Sequence, residues 1–157
     1  MILKKRDNEI TDQGASALAT SFQDYKNLQT FSLNLQFNKL GVLGAIKLGT
    51  GLERCTNLTD LTLNLIRNGI ERQGAQGLCS PLSNCLNLKI ISLNLGSNKI
   101  GDKGAQLLCT SIKSLVKINF LFLRLSDNQI SNKQIKEIEK NALKMKRIVK
   151  TADIYNF

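Results

Sequence analysis

Four cysteines and five asparagines are the side chains whose chemistry stands out in this sequence, because both sets recur at intervals of thirty residues. Cys55 is matched by Cys85 and Cys79 by Cys109, while Asn8, Asn38, Asn68, Asn98 and Asn128 form one column. Thiols at fixed intervals could build a disulfide ladder or a metal site. No Cys-x-x-Cys spacing occurs, however, and there is no histidine to complete a ligand set. Buried free thiols are the expected state, which suits a reducing compartment. The asparagine column could bind a ligand, but five amides at one turn position are better explained by bonds to the backbone groups that the turn leaves open.

The missing histidine also removes the commonest general base and the usual activator of serine or cysteine nucleophiles. No carboxylate pair, nucleophile with base, or metal cluster falls at a convergent position. The expectation is a chain with no enzymatic activity, no cofactor and no small-molecule substrate. Gly14, Gly44, Gly74 and Gly104 could belong to phosphate-cradling loops, yet neither Gly-x-x-x-x-Gly-Lys-Ser/Thr nor Gly-x-Gly-x-x-Gly is present. They stand in first helical turns, where glycine costs about 1 kcal/mol against alanine. Close approach of each helix to a strand or a neighbouring unit is the natural reason for that choice.

The elements that must position these residues follow from the same period. Leu61, Leu63 and Leu65 alternate with Thr62 and Asn64, which predicts a strand with one face inward. Asn68 and Ile70 lie at a turn, and Ala75, Leu78 and Leu82 then recur at helical spacing. Each unit thus reads strand, turn, helix. Stacked units of this kind give an α/β solenoid, with a parallel sheet on the concave face and helices on the convex face. The expected organisation is an incomplete first repeat over 1–27, repeats over 28–57, 58–87 and 88–117, a last repeat with a cap helix over 118–150, and a tail over 151–157.

The pattern Leu-x-x-Leu-x-Leu-x-Leu-x-x-Asn-x-Ile, seen in Leu58 to Ile70 and, with Ile91 for the second leucine, in Leu88 to Ile100, is followed by Gly-Ala-x-x-Leu. From Asn8 to about Ala142 it resembles the leucine-rich repeats of the ribonuclease-inhibitor subclass. The Cys-x-Asn-Leu joints, Cys55 to Leu58 and Cys85 to Leu88, look most like repeats abundant in ciliate proteins. The resemblance implies a horseshoe segment whose concave strand positions hold protein partners, and it implies a structural role for the asparagine column.

The two ends depart from the pattern. Lys5 stands where other units place an inward leucine, so the first strand should be truncated and its unit covered by a partner protein or by further chain. In the last unit Ser131 and Gln134 form a Ser-x-x-Gln capping box, and a longer helix is expected. Its apolar stripe would be Ile135, Ile138, Ala142, Met145 and Val149, with Lys133, Lys136, Lys140, Lys144, Lys146, Arg147 and Lys150 on the other faces. Residues 132–150 hold seven basic and two acidic residues, so they carry +5 of the chain's net +10. The apolar tail, Tyr155 and Phe157 included, is expected either to fold back on this helix or to be pinned by a neighbour.

Outward strand positions supply the candidate contacts. Arginine and aromatic residues dominate binding hot spots, which selects Phe37, Arg67, Phe122 and Arg124. Phe122 could instead pack beneath the tail. Lys136, Lys140, Lys144 and Arg147, with Tyr155 and Phe157, form a second candidate contact suited to an acidic surface. The expected function is a non-catalytic protein-interaction module, a subunit or adaptor in a larger assembly. Alternatives are regulation of another enzyme, as by leucine-rich-repeat activators of small GTPases, or electrostatic binding of acidic surfaces or nucleic acid. Two tyrosines, no tryptophan and no basic-aromatic signature weigh against nucleic acid. No apolar run approaches the ~18 residues of a membrane span, and an intracellular setting is expected: cytoplasm, a cytoskeleton-associated structure or an organelle interior. Truncating an inward residue, Leu63→Ala or Leu93→Ala, is expected to cost about 2 to 5 kcal/mol, while Asn34→Ala costs little. Equal falls in melting temperature would refute the division into inward and outward positions.

Overall fold

The computed structural model describes residues 1–144 and 148–150, excluding the side chains of Gln23, 142–144 and 148–150. Strands β1 (Ile2–Lys4), β2 (Thr30–Asn34), β3 (Asp60–Asn64), β4 (Ile90–Asn94), β5 (Phe120–Arg124) and β6 (Ile148–Lys150) alternate with five helices. These are α1 (Asp12–Ser21), α2 (Gly41–Leu52), α3 (Glu71–Cys79), α4 (Gly101–Lys113) and α5 (Asn132–Lys144). The strands lie in sequence order in one parallel sheet. From β1 to β5 the thirty-residue period is the pairing register, so that Leu3 opposes Leu33, Leu33 opposes Leu63, Leu63 opposes Leu93 and Leu93 opposes Leu123.

Alternation sends Phe31, Leu33, Leu61, Leu63, Ile91, Leu93, Leu121 and Leu123 into one continuous core. Leu48, Leu78, Leu108 and Ile138 meet them from the helices. Burying a side chain of this size contributes about 1.5 to 3 kcal/mol, so the repeated ladder is the main apolar source of stability. Strand β1 stops at Lys4, before the exposed Lys5, as its sequence implies.

The column of asparagines ties the units together. Asn98, fully buried, donates its amide hydrogens to the carbonyls of Leu65 (2.8 Å), Leu95 (2.9 Å) and Gly96 (3.1 Å). Its Oδ1 accepts from the backbone N–H groups of Asn68 (2.9 Å) and Ile70 (3.3 Å) in the preceding unit. Asn128 repeats this on Leu95, Leu125, Ser126, Asn98 and Ile100. The preceding turn offers its N–H groups to one oxygen because Arg67, Gly69 and Glu71 all take positive φ, as do Ser97, Lys99 and Gly101 one unit on. Such alternation forms a small concavity of N–H groups. Asn8 is the exception: it is exposed and reaches only the Arg6 carbonyl.

Glycines act where helices meet. A Cβ on Gly74 would lie 3.2 Å from the Val42 Cα of the preceding helix, and one on Gly49 would lie 2.3 Å from the Gly77 carbonyl oxygen. The close approach is therefore to the neighbouring unit's helix rather than to a strand. Helix α3 ends at Cys79 and gives way to a 3-10 turn over Ser80–Asn84, since Pro81 has no N–H to continue the α-helical ladder. Leu82 is buried in that turn and not on the helix itself.

Two expectations at the C-terminal end are corrected. The cap helix does not run to 150: α5 ends at Lys144, and Ile148–Lys150 pairs with β5 as a parallel strand at a shorter, twenty-eight-residue offset. Val149 and Lys150 thus leave the helical stripe. The open edge of β5 and the β-branched Ile148 and Val149 favour this pairing. Met145, Lys146 and Arg147 fall outside the described residues. The capping box is also only half formed. Ser131 Oγ accepts from the Gln134 N–H (3.3 Å), but the Ser131 N–H and hydroxyl both donate to the Asp102 carboxylate of the previous helix, at 2.6 and 2.7 Å. These bonds hold the Asp102 carboxyl below its usual pKa.

Replacing Asn98 by alanine strips several buried backbone groups of partners and is expected to cost roughly 3 kcal/mol or more. Asn98→Asp keeps the shape but turns donors into acceptors facing three carbonyls, and should cost more still at neutral pH. Denaturant melts would check both; an aspartate variant more stable than the alanine variant at pH 7 would contradict the bonding scheme.

Candidate protein-contact face

The face of the sheet away from the helices carries the outward residues in transverse rows. One row is Ser32, Thr62, Ser92 and Phe122; the next is Lys4, Asn34, Asn64, Asn94 and Arg124. In the second row the Asn34, Asn64 and Asn94 Oδ1 atoms each accept the N–H two residues on, of Gln36 (3.2 Å), Ile66 (3.5 Å) and Gly96 (3.4 Å). That satisfies the oxygens and turns the amide hydrogens outward. Asn64 gives one to Gln36 Oε1 at 3.0 Å, whereas the Asn34 and Asn94 amide nitrogens have no partner among the described residues.

Of the sequence-selected contacts, Phe122 and Arg124 lie on this face, both partly buried, and the Arg124 Nε donates to Ser126 Oγ (3.4 Å). Phe122 stands opposite Lys150 of β6. Phe37 and Arg67 lie instead on the lip where strands turn toward helices. There the guanidinium sits 5.5 Å from the ring centroid, and Phe37 is 41 % exposed. The structure brings these two together as a cation–π pair. Ser97 and Asp127 continue the lip column, with Ser97 Oγ donating to Asp127 Oδ2 (3.2 Å). Lys136 and Lys140 are exposed on α5, in the helical layer, so the basic contact and the sheet contact are separate surfaces. Lys144 ends that helix, while Arg147, Tyr155 and Phe157 lie outside the described residues.

Sequence reasoning missed a third row, Thr30, Asp60, Ile90 and Phe120, at the start of the strands. Ile90 is 38 % exposed and shares a shallow depression with Phe120, Lys89 and Asn119. The signal was available, since the alternation of Thr30, Phe31, Ser32 and Leu33 already begins there. A second amide ladder was missed as well: Asn57 donates to the Lys26 carbonyl (2.9 Å) and Asn87 to that of Thr56 (3.1 Å). Its trace in the sequence is the recurring Cys-x-Asn-Leu joint.

The thiols are structural. Cys55, Cys79 and Cys85 are buried, Cys109 is only partly so, and all four are free. Cys85 Sγ–H points to the Leu52 carbonyl at 3.4 Å, at the end of the preceding helix, and Cys55 takes the same place toward Phe22 at 4.0 Å. Burial pushes the Cys79 and Cys85 thiols up to about 12, and Cys109 to about 11. Among the described residues no group of three or more cysteine, aspartate or glutamate side chains could hold a metal ion. Nor is any helix among them long and apolar enough to cross a membrane.

With stacked units, parallel register and buried asparagines in place, the family model for the leucine-rich repeat matches residues 6–19, 32–49 and 86–109. The chain carries leucine-rich repeats. All three matched stretches include the start of a helix, and the second and third include the buried asparagines Asn38 and Asn98. No curated protein matches the chain.

Because the folded leucine-rich-repeat protein holds the thiol protons more tightly than the unfolded chain, the thiols' contribution to stability is whole below about pH 8.5. It is lost as pH rises toward about 12. Labelling by a thiol reagent at pH 8 should therefore be slow in the native state, with Cys109 reacting first, and fast for all four on unfolding. Early modification of Cys55 or Cys85 would refute the assignment.

Proposed function

We propose that this leucine-rich-repeat protein is a protein-interaction module, a subunit or adaptor within a larger assembly, and that the open face of its sheet is the main contact. One observation carries the reading. No buried side-chain nitrogen or oxygen among the described residues lacks a hydrogen-bond partner, whereas unspent amide donors collect on the open face. Beside them stand Ile90, Phe120, Phe122 and Arg124, the mixture of apolar, aromatic and arginine side chains in which binding energy concentrates. Phe37 and Arg67 on the lip extend the contact. Leucine-rich repeats generally mediate protein–protein interaction, which supports the same reading. The unit length and the helix in every unit support assignment to the ribonuclease-inhibitor-like kind of repeat.

Lys136 and Lys140 on α5 offer a second contact, to an acidic surface, from the opposite layer. Photo-crosslinking residues placed singly at Ser92, Phe122 and Lys136 would separate the two in native extract. Adducts with one defined partner are expected from Ser92 and Phe122 and not from Lys136. The reverse pattern would move the contact to the helix.

A further inference from the structure

We infer that the lip at Phe37, Arg67, Gly69 and Lys99 anchors one acidic side chain of the partner, with an apolar side chain two residues away seated on Phe37. The inference rests on the protein-contact reading and specifies what the partner places at the edge of that face. All four residues belong to the units of β2, β3 and β4.

Charge on the lip is one-sided once internal pairs are set aside. Asp7 pairs with Arg6 (3.3 Å) and Glu9 with Lys39 (2.9 Å), while Asp127 accepts from Ser97 (3.2 Å). The Arg67 guanidinium engages the Phe37 ring and no carboxylate, and the exposed Lys99 engages none either. Two cations are left for a partner.

The backbone between them adds a donor. Arg67 N–H bonds the Gly96 carbonyl (3.0 Å) and Glu71 N–H that of Asn98 (2.9 Å), which fastens this turn to the next on both sides of Gly69. Register then sets Gly69 beside Lys99, one repeat on. Gly69 is exposed, holds a φ of 65°, and has open space where a Cβ would stand. Its N–H has no acceptor among the described residues. Other units fill this place with Glu9, Lys39, Lys99 and Gln129, so the notch is particular to this turn. A glycine lets an anion approach the backbone closely, and charge-assisted bonds from Arg67 and Lys99 suit a carboxylate there. Glu71, at the start of α3, is the nearest carboxylate along the chain and pairs with neither cation.

Phe37 supplies the second contact, its ring centroid 5.5 Å from the guanidinium. Side chains on one side of an extended segment recur every two residues, about 6.8 Å. Asp-x-Leu, in one chain direction or the other, therefore sets a carboxylate at the notch and a leucine on the ring.

Acetylated, amidated Gly/Ser peptides carrying Asp-x-Leu or Leu-x-Asp, titrated into the isotope-labelled full chain and followed by amide NMR shifts, provide the probe. Saturable shifts at Arg67, Gly69 and Lys99 are expected from one of the two, with a Kd of about 1 mM or tighter. Binding should be roughly tenfold weaker when asparagine replaces the aspartate, or when a long Gly/Ser run separates it from the leucine. Arg67→Gln and Phe37→Ser, both at exposed positions, should each weaken binding roughly tenfold with the thermal melt little changed. Arg67→Gln should also flatten the salt dependence, whereas Glu71→Gln should tighten binding. Equal binding of the aspartate and asparagine peptides, shifts that saturate away from the lip, indifference to Arg67→Gln, or no saturable shift by about 10 mM peptide would each overturn the inference. If crosslinks from Ser92 and Phe122 persisted in that event, the contact face would stand without this anchor; their loss would remove the face itself.

Discussion

The stack depends on the ability of one asparagine amide to satisfy backbone groups of two units at once. A strand that turns sharply into a helix leaves carbonyls and N–H groups inside the protein, where each unpaired group costs about 1 to 3 kcal/mol. Asn98 meets this cost for unit and neighbour together, donating to Leu65, Leu95 and Gly96 and accepting from Asn68 and Ile70. Only a side chain with both donor and acceptor, short enough to stay in the turn, can do so. The leucines supply attraction, but they do not dictate where one unit ends and the next begins. The amides do.

That constraint divides the molecule into two kinds of surface. Toward the helices, among the described residues, no buried side-chain nitrogen or oxygen lacks a partner, and thiols such as Cys85 face helix-end carbonyls. Away from the helices the same residue type, placed four positions earlier in the unit, behaves differently. Asn34, Asn64 and Asn94 satisfy their oxygens locally and hold their hydrogens outward. A single amino acid is thus used as internal fastening in one column and as displayed chemistry in another. The choice is made by the direction in which the strand points it.

Features that repeat were legible in the sequence, because a period of thirty encodes both the register and the inward face. Leu33, Leu63, Leu93 and Leu123 come together for that reason, and so do the ladder asparagines and the glycines between helices. What stayed hidden breaks the period or joins residues with no local signal. Strand β6 pairs at an offset of twenty-eight residues and follows a lysine-rich stretch whose spacing reads as helix. The Asp102 to Ser131 bonds link two residues that look like independent helix-start signals. Prolines act locally, so the early end of α3 before Pro81 was readable in principle but was submerged by the spacing of Leu78 and Leu82. On the open face of the sheet, residue types were visible, yet the direction of the amide hydrogens required the turn geometry.

The left-handed turns carry a consequence for how the chain comes apart. Arg67, Glu71, Ser97, Lys99, Asp127 and Gln129 all hold positive φ, a conformation that costs a residue with a side chain roughly 1 kcal/mol or more. A lone unit would meet that cost without the neighbouring amide that makes the turn worthwhile. Intrinsic unit stability is therefore low and nearest-neighbour coupling high, which in a one-dimensional lattice lengthens the stretch that must change state together. Although built as a linear array, the protein is arranged to melt as a single cooperative body rather than to fray one repeat at a time.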